Sequence, residues 1–389
     1  MTEDGRCLEV SAVTSGPRHH FFGYYDKSPW DATGRYLLAL ESAFMDRAPG
    51  PEDRAIVGVV DTAQGNRFRA IADTRAWNWQ QGAMLQWLPS QPDRLIVYND
   101  RRGDQFVSVV RDIDTGESRV LPRPIYCVSP DGSHALSLNF ARLHCIRPGY
   151  GYAGLPDPWA DELRPEDDGI YLMDLATGEY HLIILLAQMA GLASHPSAAD
   201  AAHKFNHLLF SPDGRRFIFL HRWRAADGSR HHRMCTADPR GQGLWCAPLD
   251  DMVSHFDWFG PDKILAWARR PDNGDRYYVF TDRSDHAEVL GEGVLTRDGH
   301  CSFSPDRKWL LTDTYPDQER MRTLILYRMA DGCRMDIARL FSPPALENHI
   351  RCDLHPRWSR DGRQVCIDSA HEGSRQMYVL NVRPVVMRA

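Results

Sequence analysis

The chain has 389 residues, a formal net charge of −6, 43% hydrophobic and 25% charged residues, and a pI near 6.3. This is an ordinary globular composition, and it gives no electrostatic reason to expect nucleic acid or an anionic membrane as a partner. The longest apolar run, residues 182–186, is strand-sized and far below the ~18 residues of a membrane span.

The opening decapeptide MTEDGRCLEV lacks the basic and then apolar run of a secretory leader, and the nine cysteines are scattered without a CxxC pair. Reduced thiols and a cytoplasmic location are therefore expected. LEVSAV (8–13) reads as a strand with no partner nearby. From there one phrase returns seven times: an apolar stretch, a tight Ser/Pro/Asp/Gly-type turn, and a second apolar stretch. The copies begin at Ser28, Leu88, Ser129, Ser211, Gly260, Ser304 and Ser359. A third strand ending in an Asp/Gly turn follows in most copies, as in 56–65, 107–116, 170–178, 277–284 and 324–332. Four antiparallel strands repeated seven times describe an all-β, single-domain, seven-bladed propeller over 1–389. The blades are expected near 20–73, 79–121, 124–185, 205–249, 253–291, 298–341 and 353–382. Segment 7–13 would add the outer strand of the last blade and close the ring. Two stretches break the rhythm, 145–168 and 187–204, and are expected as long loops of the binding rim.

Register within the repeat locates functional positions. The inner strand of each blade leaves the mouth of the central funnel, so the position four residues before each turn phrase forms a ring. It holds Tyr24, Met84, Ile125, His207, Phe256, His300 and His355. Three of the seventeen histidines thus share one register, suited to binding a metal through neutral imidazole or to acid–base work. The upper end of the second strand gives Asn99, Phe140, Arg222 and Tyr315, with His144 and His371 close by and Arg269 and Arg270 in blade five. With Tyr25 and Asn206 beside the ring, the mouth gathers His, Arg, Tyr and Asn and few carboxylates, which suits an anionic ligand.

These residue types match β-elimination from a uronic-acid-containing glycan. The C5 proton lies next to a carboxylate that a cation must neutralise, a base removes it, and an acid protonates the departing oxygen. Hydrolysis would need two flanking carboxylates; Asp26, Asp257 and Asp353 form no obvious pair. A serine nucleophile is unsupported, because no GxSxG elbow occurs.

The segments HHFFGYYDKSPW (19–30), WNWQQGAMLQWLP (77–89), SLNFARLHCIRPGYGY (137–152), HKFNHLLFSPDGRRFIFLHR (203–222), GHCSFSPD (299–306) and DLHPRWSRDGR (353–363) resemble the propeller-fold polysaccharide lyases, the oligogalacturonate and ulvan lyases. The resemblance implies His144, His207 and Arg222 as catalytic residues, with Tyr24, Tyr25 or Tyr315 as proton donor. Asn99, Asn206, Arg269, Arg270 and His371 would bind an anionic oligosaccharide or polysaccharide. It also implies a divalent metal (Mn, Ca or Zn) on His207, His300 and His355, and no organic cofactor. The departure lies next to His355, where Arg351 and Asp353 stand in place of the glutamine ligand of oligogalacturonate lyases. A non-catalytic propeller that binds a glycan or protein, and a propeller hydrolase or peptidase-associated domain, are the alternatives.

Overall fold

The computed structural model describes residues 7–192 and 195–387; the opening hexapeptide MTEDGR and residues 193–194 of the second loop lie outside the described residues. Seven four-stranded antiparallel sheets form the blades. Blade one comprises His19–Phe21, Tyr36–Ser42, Ala55–Asp61 and Arg67–Thr74, and blade four comprises Ala202–Phe210, Phe217–Arg224, Arg230–Ala237 and Trp245–Cys246. The recurring phrase has a local cause. In the third, fourth, sixth and seventh copies the turn serine bonds to the aspartate two residues on, at 2.6–2.7 Å, as Ser129 does to Asp131 and Ser211 to Asp213. The same hydroxyl accepts the backbone N–H five residues on, from His134, Arg216, Trp309 and Gln364. The serine's own N–H donates to the carbonyl of that same residue, so backbone and hydroxyl together close the hairpin end. The fourth position has positive φ, 70° at Gly214 and 61° at Arg307, so glycine is favoured there and arginine is strained.

The ring closes through the seventh blade. Ser11–Ala12 pairs with the Gln376–Asn381 strand, setting Ser11 opposite Val379. Closer to the axis, the fully buried Arg357 binds both oxygens of Asp368 at 3.1 and 2.8 Å and donates to the carbonyls of Gly23 and Tyr24. Asp368 also accepts the N–H groups of Phe22 and Gly23. Blade seven is thus bonded to the segment entering blade one.

Two expectations are corrected. In blade three the second strand ends at Ser137, and Phe140 opens a helix, Phe140–Ile146. Asn139 caps it by accepting the N–H of Arg142, an arrangement that competes with strand continuation. Loop 145–168 is then held by one buried arginine: Arg142 binds Asp157 at 3.0 Å and the carbonyls of Trp159, Glu162, Leu163 and His203. The expectation of nine reduced cysteines also fails at one pair. Cys235 and Cys246 are directly opposite on neighbouring strands of blade four and are disulfide-bonded.

Asp368→Asn leaves a fully buried guanidinium half-paired, and we expect it to cost about 3–5 kcal/mol in denaturant unfolding. Arg269→Ala, which breaks an exposed pair with Asp275, is expected to cost under about 1 kcal/mol in the same experiment.

Candidate functional site

The ring register coincides with a break in the inner ladder. Met84, His207 and His355, all at the ring position, have φ of 52°, 54° and 41°. The blade-four pairing shifts between Asn206 and Leu209, and the blade-five pairing between Val253 and Phe256. A non-glycine residue in this region costs on the order of 1–3 kcal/mol, and such strain is typical of functional sites.

On blades six and seven, one ligand atom each of His300, Asp353 and His355 lies within 4.8 Å of the others, and all three residues are buried. Asp313 fixes the His300 ring by taking its backbone N–H at 2.7 Å and standing 2.9 Å from Nδ1. Nε2 of His300 and Nε2 of His355 are both buried without a hydrogen-bond partner. Asp353 is 3.9 Å from His355 Nε2. Two orphaned imidazole nitrogens beside a carboxylate fit a divalent cation with open positions. Asp353 is also bound by Arg351 at 2.5 Å and Arg322 at 2.7 Å. Burial opposes its ionisation, but these guanidiniums outweigh burial and hold its pKa well below the usual carboxylate range. Burial likewise opposes charge on His300, yet Asp313, Asp353 and Asp298 raise its pKa. His355 goes the other way, lowered by burial and then by His300.

Across the funnel, Tyr24 stacks on His207 at 5.0 Å and meets the His355 edge, also at 5.0 Å. His207 Nδ1 lies 3.3 Å from the Tyr126 hydroxyl and 3.4 Å from Gln81 Nε2. Burial, then the charge of Arg222, holds His207 neutral, well below its usual pKa. Tyr150, from the long loop, meets the His207 ring edge-on at 5.8 Å, and its hydroxyl accepts from Arg351 at 2.8 Å. Burial raises its pKa, but Arg351 and Arg147 outweigh burial and bring Tyr150 down to about 8. Arg222 is buried, donates to the Val253 carbonyl at 3.1 Å, and leaves Nε without a partner. Burial and Arg147 push it down to about 10.

The structure therefore brings together Tyr24, His207, His300, His355 and Arg222. Tyr315 joins them, its ring 6.0 Å from His300. His207 faces Gln81 and Tyr126 and stands outside the compact His300–Asp353–His355 group. Tyr25 lines the same ring, but its hydroxyl is held by the backbone of Phe256 at 2.9 Å, which makes it a pin between blades. Others go elsewhere. His144 sits on the helix beside the Gly151 backbone and His349. The Asn99 amide is used up by Ile125 and Tyr152. Arg269 and Arg270 pair with Asp275 and Asp272 on their own hairpin. His371 bonds Ser369 and packs on Tyr378. Asn206 is fully buried with neither amide atom partnered.

Sequence reasoning missed Tyr150, Arg322 and Lys204, and assigned Asp353 no role. One signal was available: Arg351, Asp353 and His355 alternate in sequence, as residues on one face of an extended chain do.

No protein-family model and no curated protein matches this chain. Among solved structures, the oligogalacturonate lyase of Vibrio parahaemolyticus superposes with a TM-score of 0.66 at 12% identity, over 98% of this chain and 95% of that one. An oligogalacturonate lyase in complex with manganese gives 0.69 at 14% identity, over 96% and 93%. Two prolyl endopeptidases are represented by a match of 0.52 at 12% identity, which covers 95% of this chain but 48% of theirs. Over nearly its whole length, the chain has the fold of the oligogalacturonate lyases.

Proposed function

We propose that the chain is a lyase that cleaves a uronic-acid-containing oligosaccharide by β-elimination at the funnel mouth. The observation that carries this reading is a neutral imidazole and a phenol of lowered pKa, His207 and Tyr150, in ring contact beside a buried guanidinium and an imidazole–carboxylate cluster. His207 takes the C5 proton, because it is uncharged at neutral pH and needs no prior deprotonation. The electron pair left on C5 forms the C4–C5 double bond, and the C4–oxygen bond breaks. Tyr150 gives its proton to the departing oxygen, and Arg351 and Arg147 stabilise the phenolate that remains. Arg222 faces the substrate carboxylate and makes C5 more acidic by balancing its charge. His300, Asp353 and His355 would hold a divalent cation, which when bound supplies further neutralisation of that carboxylate. The manganese of the similar lyase makes this ion the first to test. Of the carboxylates that hydrolysis would need as a pair, Asp26 and Asp257 do share a cavity, but it is lined by Lys27 and Arg307 and not by Arg222 or His207, and Lys27 holds Asp26 at 2.8 Å.

Ultraviolet absorbance of the unsaturated product is the assay. A panel of pectic, ulvan-like, glucuronan and rhamnosyl-glucuronate oligosaccharides that gives no signal, with or without manganese, overturns the assignment. Because Tyr150 must carry its proton to act as donor, the rate is expected to fall as pH rises through about 8. Tyr150→Phe is expected to lower kcat by about 10²–10⁴-fold and to remove that alkaline limb, with an unchanged melting temperature.

Manganese is expected to raise the melting temperature of the wild type by mass action, and His355→Ala to abolish the rise. An equal rise in both proteins would place the ion elsewhere.

A further inference from the structure

Blade four carries a row of three side chains on one face. Lys204 is paired in register with Arg222, and Arg222 with His232. Residues directly opposite in an antiparallel sheet project to the same side, so the row lines one wall of a cavity of about 220 Å³. The other walls bring Arg147, Arg224 and Arg230, with His349 at the edge. No carboxylate of the described residues lines this cavity. Among the described residues none of its four arginines, nor Lys204, forms an ion pair. Lys204 and Arg222 are each 6% exposed, and Arg222 Nε has no partner. Arg142, which also acts on Lys204, is by contrast neutralised by Asp157 at 3.0 Å.

Burying like charges without counter-ions is costly unless something arrives to balance them. The protein's own answer is visible in the titrating groups. Burial, then Arg222, Arg147, Arg230 and Arg142, brings Lys204 down to about 7. Burial and Arg222 bring His232 to about 2. The clustered cations thus favour the unprotonated forms of Lys204 and His232, and an anion among them would favour the protonated ones.

We propose that this cavity is a binding site for an anionic group, a carboxylate or an ester sulfate, and that Lys204 takes up a proton as the anion enters. Planar guanidiniums supply bidentate donors to either group. Arg222 links the cavity to the funnel. On the lyase reading, on which this further step rests, the substrate carries a second anionic group on the sugar next to the cleaved uronate.

Inorganic sulfate is the probe, titrated calorimetrically into the whole chain in two buffers of different ionisation enthalpy. At about pH 8, where Lys204 is mostly neutral, the wild type is expected to take up close to one proton per sulfate bound. Lys204→Arg, which is always charged, keeps the binding and loses the uptake. Lys204→Met loses the uptake and binds at least about tenfold more weakly. Arg230→Gln, at the outer wall, weakens sulfate by a similar factor and guards against a misfolded Lys204 variant. Absence of saturable sulfate binding, or an uptake that survives in Lys204→Arg, overturns the proposal. A chain that binds sulfate in this way but cleaves no uronate would overturn the lyase reading alone. With an active enzyme, Arg230→Gln is expected to raise KM for disaccharides bearing a second carboxylate or an ester sulfate, and not for the neutral methyl ester. Whichever charged substrate shifts more identifies the natural group; equal KM changes for charged and neutral substrates would overturn the assignment to substrate.

Discussion

The buried pair of Arg357 and Asp368 closes the ring and sets its centre at the same time. A propeller has a funnel only if its last blade meets its first, and here that junction is not left to the edge strand. Arg357 spends its donors on Asp368 and on the carbonyls of Gly23 and Tyr24. The fork geometry of a guanidinium suits such a junction, because it fixes direction as well as distance. The Tyr24 backbone is therefore held by blade seven, and the Tyr24 ring touches His207 of blade four and His355 of blade seven.

Around that centre the charges divide. On blades six and seven the buried cations nearest the funnel have acids: Asp353 lies between Arg351 and Arg322, and His300 stands against Asp313. The two imidazole nitrogens left free there invite a cation. On blade four and the neighbouring loop, Arg147, Arg222 and Lys204 have no acid among the described residues. The formal charge of −6 conceals this separation, since it averages a surface rich in Asp with a funnel wall that lacks it.

How much of this the sequence reveals follows from which interactions are local. The turn phrase is legible because its serine, aspartate and glycine act on each other within five residues. It carries the seven blades and the joint register of His207, His300 and His355 with it. Side chains whose partners lie far off in sequence are not legible. Asn99 has the composition of a binding residue, but Ile125 and Tyr152 take its amide. Counting along the strand puts His144 near the mouth, but Asn139 ends that strand and caps a helix. Tyr150 lies in a loop without periodicity, so its place beside Arg351, some two hundred residues away, has no trace in the pattern.

The guanidiniums also explain why such different groups can share one chemistry. A positive field favours the less protonated form of every acid, neutral or cationic. Against burial it brings the phenol of Tyr150 from 10.0 to about 8, and adding to burial, the larger cause, it brings the ammonium of Lys204 from 10.5 to about 7. Burial alone would separate them, raising the phenol and lowering the amine. Only the added field draws both towards neutrality, where a proton can be gained or lost at little cost. Arg147 contributes to both shifts. It stands next to Pro148 at the start of a loop that Arg142 holds in place, so the proton balance of the funnel depends on how that loop is packed.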